Sequence, residues 1–418
     1  MKIKKCRNCD SKEIKKLFTL WNLSYSGFFP ASQSTKVEKK NLTLVKCSSC
    51  HLVQLDEKFN PKKLYNNNYG YRTGINSTMK NHVKNIVKQC IKLTGIKRNE
   101  YVLDIASNDG TLLNFYPNNI IKFGCDPLIS KYKKFYKNIQ YKVSDFFTYK
   151  NIRKKLNNSN KFKIITSIAV FYDLEKPNQF LKDVSNLLSD DGVFLLELAD
   201  LYQIIKNTMF DTICHEHIEY YSCDVIRNMV EKNQMRIIKL EHNASNGGST
   251  RFFICHKNSK YKSDIKNIKK FINNETKIGL KSMKTYRKFY SEIHRSKKKL
   301  TNLVNNILKK KQIIFGYGAS TKGNILLDYF GLTDNEIKYI ADRNPEKDGK
   351  FTPTNKIPII SEVKAHKLKP NYYLVLPWHF KKEILEREKK KIKGGVKFIF
   401  PLPKLKVYWF ILKYLNIR

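Results

Sequence analysis

This 418-residue sequence lacks the long apolar runs that mark membrane proteins. The most apolar stretches, residues 193–198 and 313–317, have the length of strands and fall far short of the ~20 residues that a transmembrane helix needs. The N-terminus shows no apolar segment of the signal-peptide type. We therefore expect a cytoplasmic protein with no membrane partner and with reduced cysteines.

Acidic residues and arginines are also scarce, although the chain is strongly basic. Lys and Arg total 80 against 36 Asp and Glu, which gives a formal net charge of +44. Such a charge is common in nucleic-acid-binding proteins. Only 12 of the 80 basic residues are arginine, the better partner for bases and phosphates, and the lysines are spread over the whole length. We interpret the charge as a solvated surface, and we expect no specific nucleic acid and a monomer or a loose homo-oligomer.

The distribution of apolar residues indicates an α/β protein of more than one domain. Hydrophobic residues form 41% of the chain, enough for several cores. Short apolar runs alternate with amphipathic stretches between residues 101 and 256, a pattern typical of a mostly parallel sheet. A Lys-rich segment with helical spacing follows, and a second βαβ pattern starts at residue 312. We predict domains at 1–62, 63–258 and 311–418, joined by a helical connector at 259–310.

Individual strands can be assigned from their apolar runs. The predicted strands are Val102–Ile105, Ile121–Cys125, Gln140–Val143, Lys163–Ile168, Val193–Glu197, Arg236–Leu240, Arg251–Cys255, Ile313–Phe315, Ile337–Ile340, Tyr373–Leu376 and Phe398–Phe400. Phe180–Leu188 is predicted as a helix with one apolar face.

Two Cys-x-x-Cys pairs lie in the turn-rich first sixty residues. Cys6 and Cys9 are separated by 37 residues from Cys47 and Cys50. Each pair can present two thiolates to one tetrahedral metal ion, and this segment has no evident core of its own. We predict a structural Zn²⁺, because four cysteines leave no open coordination position. Two unrelated thiol pairs and a redox pair are the alternatives.

An apolar strand ending in an acid precedes a loop of small residues at Asp104–Gly110. The next strand ends at Asp126, 22 residues after Asp104, where an acid can hold a ribose diol. The loop lacks the Gly-x-Gly-x-x-Gly pattern of dinucleotide sites, and its acidity suits the cationic S-adenosylmethionine. An ordinary βα turn is the alternative. The predicted cofactor residues are Asp104, Ala106, Ser107, Asn108, Asp109, Gly110, Asp126, Asp145 and Phe146.

Residues 210–217 read Phe-Asp-Thr-Ile-Cys-His-Glu-His and place two histidines around a glutamate. The segment is not a His-Glu-x-x-His zinc motif, because Glu219 stands where the second histidine would be. In an extended segment, His215 and His217 would point to one side and Glu216 to the other. Structural histidines are the alternative to a catalytic pair.

A Gly-rich turn follows the strand at residues 313–315 and precedes the start of a helix. Its sequence, Gly316-Tyr-Gly318-Ala-Ser320-Thr-Lys322, offers free backbone N–H groups that suit an anion. Tight packing of the strand against the helix is the alternative explanation for these glycines.

These motifs together resemble the sugar C-methyltransferase family, S-adenosylmethionine-dependent enzymes that methylate carbon 3 of nucleotide-linked 4-keto-deoxysugars. The resemblance spans nearly the whole chain and implies a zinc-binding domain, a class I methyltransferase core and a Rossmann-like C-terminal domain. Ala106 stands where the family has Gly, Cys214 where an aromatic is common, and residues 66–74 match its Tyr-containing substrate segment only loosely. The matching segments are the double Cys-x-x-Cys, 103–113, 215–222, 247–251 and 316–324.

The resemblance implies a general base in the His-Glu-His segment, and we predict that His217 removes the proton next to the ketone. Glu216 and His215 would orient the base or hold sugar oxygens. Tyr71 and Tyr221 would donate hydrogen bonds to the enolate, with core packing as the alternative. The residues predicted near the pyrophosphate of the nucleotide-sugar are Gly316, Gly318, Ser320 and Lys322. A nucleic-acid methyltransferase or basic nucleic-acid-binding protein is the alternative function, although the chain lacks an Asn/Asp-Pro-Pro-Tyr tract.

Overall fold

A computed structural model describes residues 2–65, 69–156 and 159–409, without the side chains of residues 62 and 63. Three β-sheets organise this part of the chain. The strands are β1 Ile14–Ser24, β2 Lys39–Cys47, β3 Val53–Leu55, β4 Tyr101–Ile105, β5 Ile121–Cys125, β6 Tyr141–Val143, β7 Phe162–Ile168, β8 Leu188–Leu198, β9 Glu219–Tyr220, β10 Met235–Asn243, β11 Ser249–His256, β12 Ile314–Tyr317, β13 Ile340–Asp342, β14 Ile359–Ser361, β15 Tyr372–Val375, β16 Lys397–Phe400 and β17 Lys406–Tyr408.

Helices cover the sheets and connect the domains, and none in the described ranges combines the length and apolar character needed to cross a membrane. The helices are α1 Pro61–Leu64, α2 Ser77–Thr94, α3 Ile129–Tyr132, α4 Tyr149–Arg153, α5 Pro177–Leu187, α6 Leu201–Lys206, α7 Cys223–Lys232, α8 Ile265–Lys277, α9 Met283–Lys309, α10 Thr321–Phe330, α11 Glu362–Lys367, α12 Lys381–Arg387 and α13 Lys389–Lys393.

The N-terminal sheet has the order β1-β2-β3-β9 and is antiparallel throughout. Its fourth strand is contributed by the chain beyond the His-Glu-His segment. The buried residues of this segment belong to cores that they share with the other domains. Phe18 of β1 is buried and stacks on Tyr290 of α9 with ring centroids 4.9 Å apart. The sheet therefore shares one continuous core with the C-terminal domain.

The central sheet has the order β10-β11-β8-β7-β4-β5-β6. Strands β4 to β8 pair in parallel, and β11 inserts antiparallel beside β8. A parallel sheet with this strand order is the class I methyltransferase arrangement, as predicted. Helix α2 was not predicted from the sequence, although its buried side chains follow the helical period.

The C-terminal sheet has the order β14-β13-β12-β15-β16-β17, and all pairs are parallel except the last. This is a Rossmann-like domain, again as predicted. Strand β13 begins at Ile340, three residues later than predicted. Helices α8 and α9 fill the predicted connector.

The loop after β1 docks the N-terminal module onto the C-terminal domain. The Asn324 side chain in α10 donates a hydrogen bond to the Ser26 carbonyl at 2.7 Å, and Ser24 bonds to Asp328 of the same helix. The Phe351 amide donates to the Pro30 carbonyl at 2.9 Å. The loop is thereby fixed next to the His-Glu-His segment.

Candidate active site and metal centre

The four predicted metal ligands converge at the start of the N-terminal module. The sulfurs of Cys6, Cys9, Cys47 and Cys50 lie within 4.8 Å of one another, with Cys6 and Cys50 at 3.5 Å and Cys9 and Cys47 at 3.6 Å. Ligands at the Zn–S distance of ~2.3 Å in a tetrahedron are about 3.8 Å apart, so the set fits Zn²⁺. Gln54 donates a hydrogen bond to the Cys6 sulfur at 3.2 Å and orients this ligand. The cluster is a structural zinc site.

Two buried carboxylates mark the cofactor loop at the carboxyl ends of β4 and β5. Asp104 accepts a hydrogen bond from the Thr166 hydroxyl at 2.6 Å, and burial raises its pKa to about 7. Asp126 accepts the amides of Asn108 and Leu128 at 2.9 and 2.7 Å, and burial raises its pKa to about 6. Neither carboxylate forms an ion pair within the described ranges. This uncompensated negative charge fits the cationic S-adenosylmethionine.

The loop between these acids has the backbone conformation that the family's glycine would favour. Ala106 has φ 58° and Asn108 has φ 51°, both in the left-handed region. The Ser107 hydroxyl is buried and contacts the Tyr136 hydroxyl at 2.8 Å. Gly110 also has a positive φ, 73°. Ala106 therefore adopts a conformation that glycine would take at a lower steric cost.

Asp109 connects the cofactor loop to the segment that follows the first domain. Its carboxylate accepts the Gly74 amide at 3.0 Å and lies 3.5 Å from the Arg72 guanidinium. The Thr73 amide donates to the Asn108 side chain at 2.9 Å. Residues 72–74 thus lie directly over the cofactor loop, while Asn66–Asn68 of the same tract lie outside the described residues.

Asp145 and Phe146 follow β6 at the same edge of the sheet. Asp145 is exposed and accepts the Phe146 amide at 2.7 Å and the Asn151 side chain at 3.0 Å. Phe146 is half-buried. Their position at the end of a strand next to β5 keeps them candidates for contact with the adenine.

The His-Glu-His segment is a bend at residues 214–216 and not an extended strand, so the predicted alternation of side chains was wrong. His215 is fully buried between Tyr25 and Phe59, with ring centroids 4.6 and 5.2 Å away. Burial lowers its pKa to about 3, and neither ring nitrogen has a partner among the described residues. His215 therefore packs in a core, away from His217.

His217 is half-buried and lies against the Tyr172 ring, with centroids 4.3 Å apart. Its Nδ1 is 2.8 Å from the Thr212 carbonyl oxygen. A carbonyl only accepts, so Nδ1 must carry the proton and Nε2 is left with its lone pair. Burial, with the charge of Lys322 as a second cause, lowers the pKa of His217 to about 3, well below the value near 6.5 expected for a free imidazole.

Carboxyl and phenol groups gather around Glu216 and Asp173, the sequence neighbours of His217 and of Tyr172. Glu216 is buried, and the Ser26 hydroxyl lies 3.4 Å from its carboxylate. Burial raises the pKa of Glu216, and it raises that of Asp173 well above the usual range. The Tyr65 hydroxyl donates to Asp173 at 2.6 Å, and the Tyr65 and Tyr69 rings lie 5.2 Å apart.

The two predicted tyrosine donors lie in different surroundings. Tyr71 is 43% exposed, and its carbonyl accepts the Asn108 side chain at the cofactor loop. Tyr221 is fully buried, packs on Phe171 with ring centroids 4.9 Å apart, and donates to Glu219. The Tyr172 ring contacts His217. The Tyr71 phenol lies near those of Tyr69 and Tyr172, because its charge contributes to their raised pKa values after the larger effect of burial.

The Gly-rich turn of the C-terminal domain is explained largely by packing. A Cβ at Gly316 would lie 2.2 Å from the Ile340 side chain, and one at Gly318 would lie 2.6 Å from Pro377. Ser320 caps α10 by accepting the Gly323 amide at 3.0 Å. Of the four predicted substrate residues, Lys322 is the one that approaches the His-Glu-His segment, since its charge lowers the pKa of His217.

Several residues around this site were not singled out from the sequence. Tyr172 and Asp173 follow β7, and their position at the carboxyl end of a parallel strand was a readable signal. Lys347 and Trp378 come from the C-terminal domain, and no local pattern connects them to the histidine segment.

Three family models match consecutive parts of the chain. They are described as "Putative zinc binding domain" for residues 6–65, "Methyltransferase domain" for 76–240 and "C-methyltransferase C-terminal domain" for 244–403. C-methyltransferase NovU of Streptomyces niveus is 27% identical over 378 residues, covering 88% of this chain and 87% of that protein.

Solved structures with a similar region have low TM-scores and low identity. An S-adenosylmethionine-dependent methyltransferase from Clostridium acetobutylicum shows 13% identity, covers 42% of this chain and 90% of its own, and has a TM-score of 0.33. Magnesium protoporphyrin IX methyltransferase from Synechocystis PCC 6803 shows 13% identity, covers 45% and 90%, and has a TM-score of 0.34. These two similarities add nothing to the assignment. The three family matches, the relative that aligns over 88% of the chain, the sulfur cluster and the strand order show that the chain is an S-adenosylmethionine-dependent C-methyltransferase with a zinc-binding domain.

Proposed function

We propose that the chain methylates the carbon next to the ketone of a nucleotide-activated keto-deoxysugar, with His217 as the general base. One observation carries this proposal. The Thr212 carbonyl fixes the proton of His217 on Nδ1, so Nε2 is the atom that can accept a proton.

The position of His217 relative to the cofactor loop supports the same role. Strands β4 and β7 are adjacent and parallel, so the loop after β4 and Tyr172 after β7 leave the same edge of the sheet. Because Tyr172 contacts His217, the base lies at the edge where the methyl donor binds. S-adenosylmethionine, when bound, supplies a methyl group on a sulfonium that is already a good electrophile. The residues of the chain have to align the substrate and remove its proton.

The low pKa of His217 keeps the imidazole neutral throughout the physiological pH range, which is the form that a base needs. A low pKa also makes it a weak base in the free enzyme. Negative charge brought next to it favours the protonated imidazolium and raises its pKa. The diphosphate of the substrate and the enolate that forms on proton removal would both act in this direction.

Glu216 is suited to hold an oxygen of the sugar. Its raised pKa favours the protonated carboxyl, which can donate a hydrogen bond to a carbonyl or enolate oxygen. Tyr69 lies close enough to Glu216 for that carboxylate to raise its phenol pKa, in addition to the larger effect of burial. These two groups join Tyr71 as proposed donors to the enolate, whereas the Tyr221 hydroxyl already donates to Glu219.

Two lysines with little exposure suit the phosphates of the substrate. Lys322 donates to the Asn246 carbonyl at 2.9 Å, and Lys347 donates to the Ala319 carbonyl. Neither has a carboxylate within ion-pair distance in the described ranges. Burial lowers the pKa of both lysines, and Asp211 and Asp342 offset this effect only in part from a longer distance. Such charges at low dielectric favour an anionic ligand. The proposed nucleotide-sugar contact therefore rests on lysines rather than on the glycines of the turn.

The test is His217→Asn, assayed with a panel of nucleoside-diphosphate 4-keto-6-deoxyhexoses. We expect fold, zinc content and S-adenosylmethionine affinity to be retained and turnover to fall roughly 100–10,000-fold. The variant should also stop exchange of the substrate C–H with heavy water when no methyl donor is present. His294→Asn, on the exposed face of α9, is the matched control and should behave as wild type.

Two outcomes would contradict the proposal in different ways. A folded His217→Asn protein that exchanges and methylates at nearly the wild-type rate would place the base elsewhere. A wild-type protein that methylates no member of the panel would overturn the substrate class.

A further inference from the structure

We infer that Trp378 of the C-terminal domain is a positioning residue for the base, acting on His217 through Asp211 and Thr212. The inference rests on the proposed role of His217. It assigns to the C-terminal domain a part in setting the proton position on the imidazole, in addition to any contact with substrate.

The first link is a buried hydrogen bond between two domains. The Trp378 indole N–H donates to the Asp211 carboxylate at 2.7 Å. Asp211 is fully buried, and Trp378 is 5% exposed. The other carboxylate oxygen of Asp211 has no partner among the described residues. Loss of the indole donor would therefore remove the side-chain hydrogen bond of a buried carboxylate. Only the local backbone amides of Asp211 and Thr212 and the charge of Lys322 would remain to stabilise it, so its surroundings would have to rearrange.

The second link is the short turn that Asp211 occupies. Phe210–Thr212 form one turn of 3-10 helix, closed by the Ile213 amide donating to the Phe210 carbonyl at 2.9 Å. Thr212, the next residue after Asp211, supplies the carbonyl that accepts the His217 Nδ1 proton. A shift of the Asp211 side chain would tilt this turn and move the carbonyl that selects the tautomer.

The third link is the packing of Trp378 against the methyltransferase domain. Gly247 has φ 93°, and a Cβ there would lie 2.7 Å from the indole ring. The neighbouring Asn246 carbonyl accepts the Lys322 ammonium at 2.9 Å. The turn at Gly247 therefore leaves room for the indole, and it also accepts a hydrogen bond from Lys322 of the C-terminal domain. These two contacts hold the indole ring in place and so fix the direction of its N–H.

Trp378→Phe tests this chain of contacts, because phenylalanine keeps an aromatic ring against Gly247 and removes the N–H donor. We expect kcat to fall roughly 10–100-fold, the scale of a small misplacement of a catalytic group, with the KM for S-adenosylmethionine within twofold of wild type. Trp21→Phe is the matched control, since Trp21 is 62% exposed on β1.

A structural role alone would not change the tautomer, so the second measurement is ¹⁵N NMR of the histidine rings. The His217 signal is assigned by its loss in His217→Asn. We expect a single Nδ1–H tautomer in the wild type and a mixture of both tautomers in Trp378→Phe. A folded Trp378→Phe protein with one tautomer and the wild-type kcat would overturn the inference.

A second pair of variants leaves Trp378 and its packing intact. Asp211→Asn keeps an acceptor for the indole and should retain kcat within about threefold, whereas Asp211→Ala should reproduce the tautomer mixture and the lower kcat. Equal effects of the two variants would contradict the inference. The NMR result stands apart from the base assignment, because the tautomer of His217 is measured even if another residue proves to be the base.

Discussion

Asp104 provides a test of the cofactor loop that needs no substrate. The carboxylate is 4% exposed at the end of β4, and its hydrogen bond comes from the neutral Thr166 hydroxyl. Burial, helped by the nearby charge of Asp126, raises its pKa to about 7. Asn has the same shape and no charge, so Asp104→Asn removes the cost of an ionised buried carboxylate.

The sign and size of the effect follow from proton linkage. The pKa is about 3.9 in the unfolded chain and about 7 in the fold, so the folded state binds more protons between these values. The stability due to the protonated form is complete below about pH 4 and is lost as the pH rises through 7. About three pKa units correspond to roughly 4 kcal/mol above pH 7 and to roughly 1.5 kcal/mol at pH 5. The advantage of Asp104→Asn over wild type should therefore grow by about 2–3 kcal/mol from pH 5 to pH 8.5.

The measurement is the free energy of unfolding from urea melts of both proteins at the two pH values, without S-adenosylmethionine. Asp145→Asn removes an exposed carboxylate from the same edge of the sheet and should show no growing advantage. Asp104→Asn should also bind S-adenosylmethionine more weakly than wild type, because a charge that complements the cationic ligand is gone. If the stability advantage of Asp104→Asn over wild type stays constant or shrinks as the pH rises, Asp104 is not a buried carboxylate with a raised pKa.

Two further predictions concern the metal and the ribose. Purified protein should contain one tightly held Zn²⁺ per chain, and chelation or Cys6→Ser should remove it and unfold the N-terminal module, as measured by metal analysis and circular dichroism. Full metal content in Cys6→Ser would contradict the four-cysteine site. Asp126→Ala should weaken S-adenosylmethionine binding by about 1.5–3 kcal/mol, roughly 10–100-fold, measured by calorimetry. Binding of NAD in place of S-adenosylmethionine would reject the cofactor assignment.

The central sheet could be predicted because its strands are buried on both faces and read as continuous apolar runs. β4, β5 and β7 were found within one residue of their observed ends. The N-terminal sheet could not be read in the same way. The pairing of β1 with β2 shifts register at two places, which breaks the alternation that identifies a strand, and β9 has only two residues.

The site could be predicted where chemistry is carried by neighbours in sequence. The Cys-x-x-Cys pairs and the acids after β4 and β5 lie where their spacing suggested. The environment of each histidine could not be predicted, because His215 packs against Tyr25 and Phe59 from the distant N-terminal module. The surroundings of the tyrosines could not be predicted for the same reason, since the fold brings Tyr172 to His217 and pairs Tyr221 with Glu219.

The net charge of +44 is a poor guide to the electrostatics of the proposed reaction. Exposed lysines are screened over a Debye length of about 8–10 Å at physiological salt, so their sum acts weakly on the site. Charges with little exposure act more strongly, because water does not screen them there. Asp104 and Asp126 leave negative charge where the cationic cofactor would bind, and Lys322 and Lys347 leave positive charge where the phosphates would lie. His217 belongs to the same arrangement, since burial, together with the Lys322 charge that would attract the substrate, keeps its imidazole neutral until that substrate arrives.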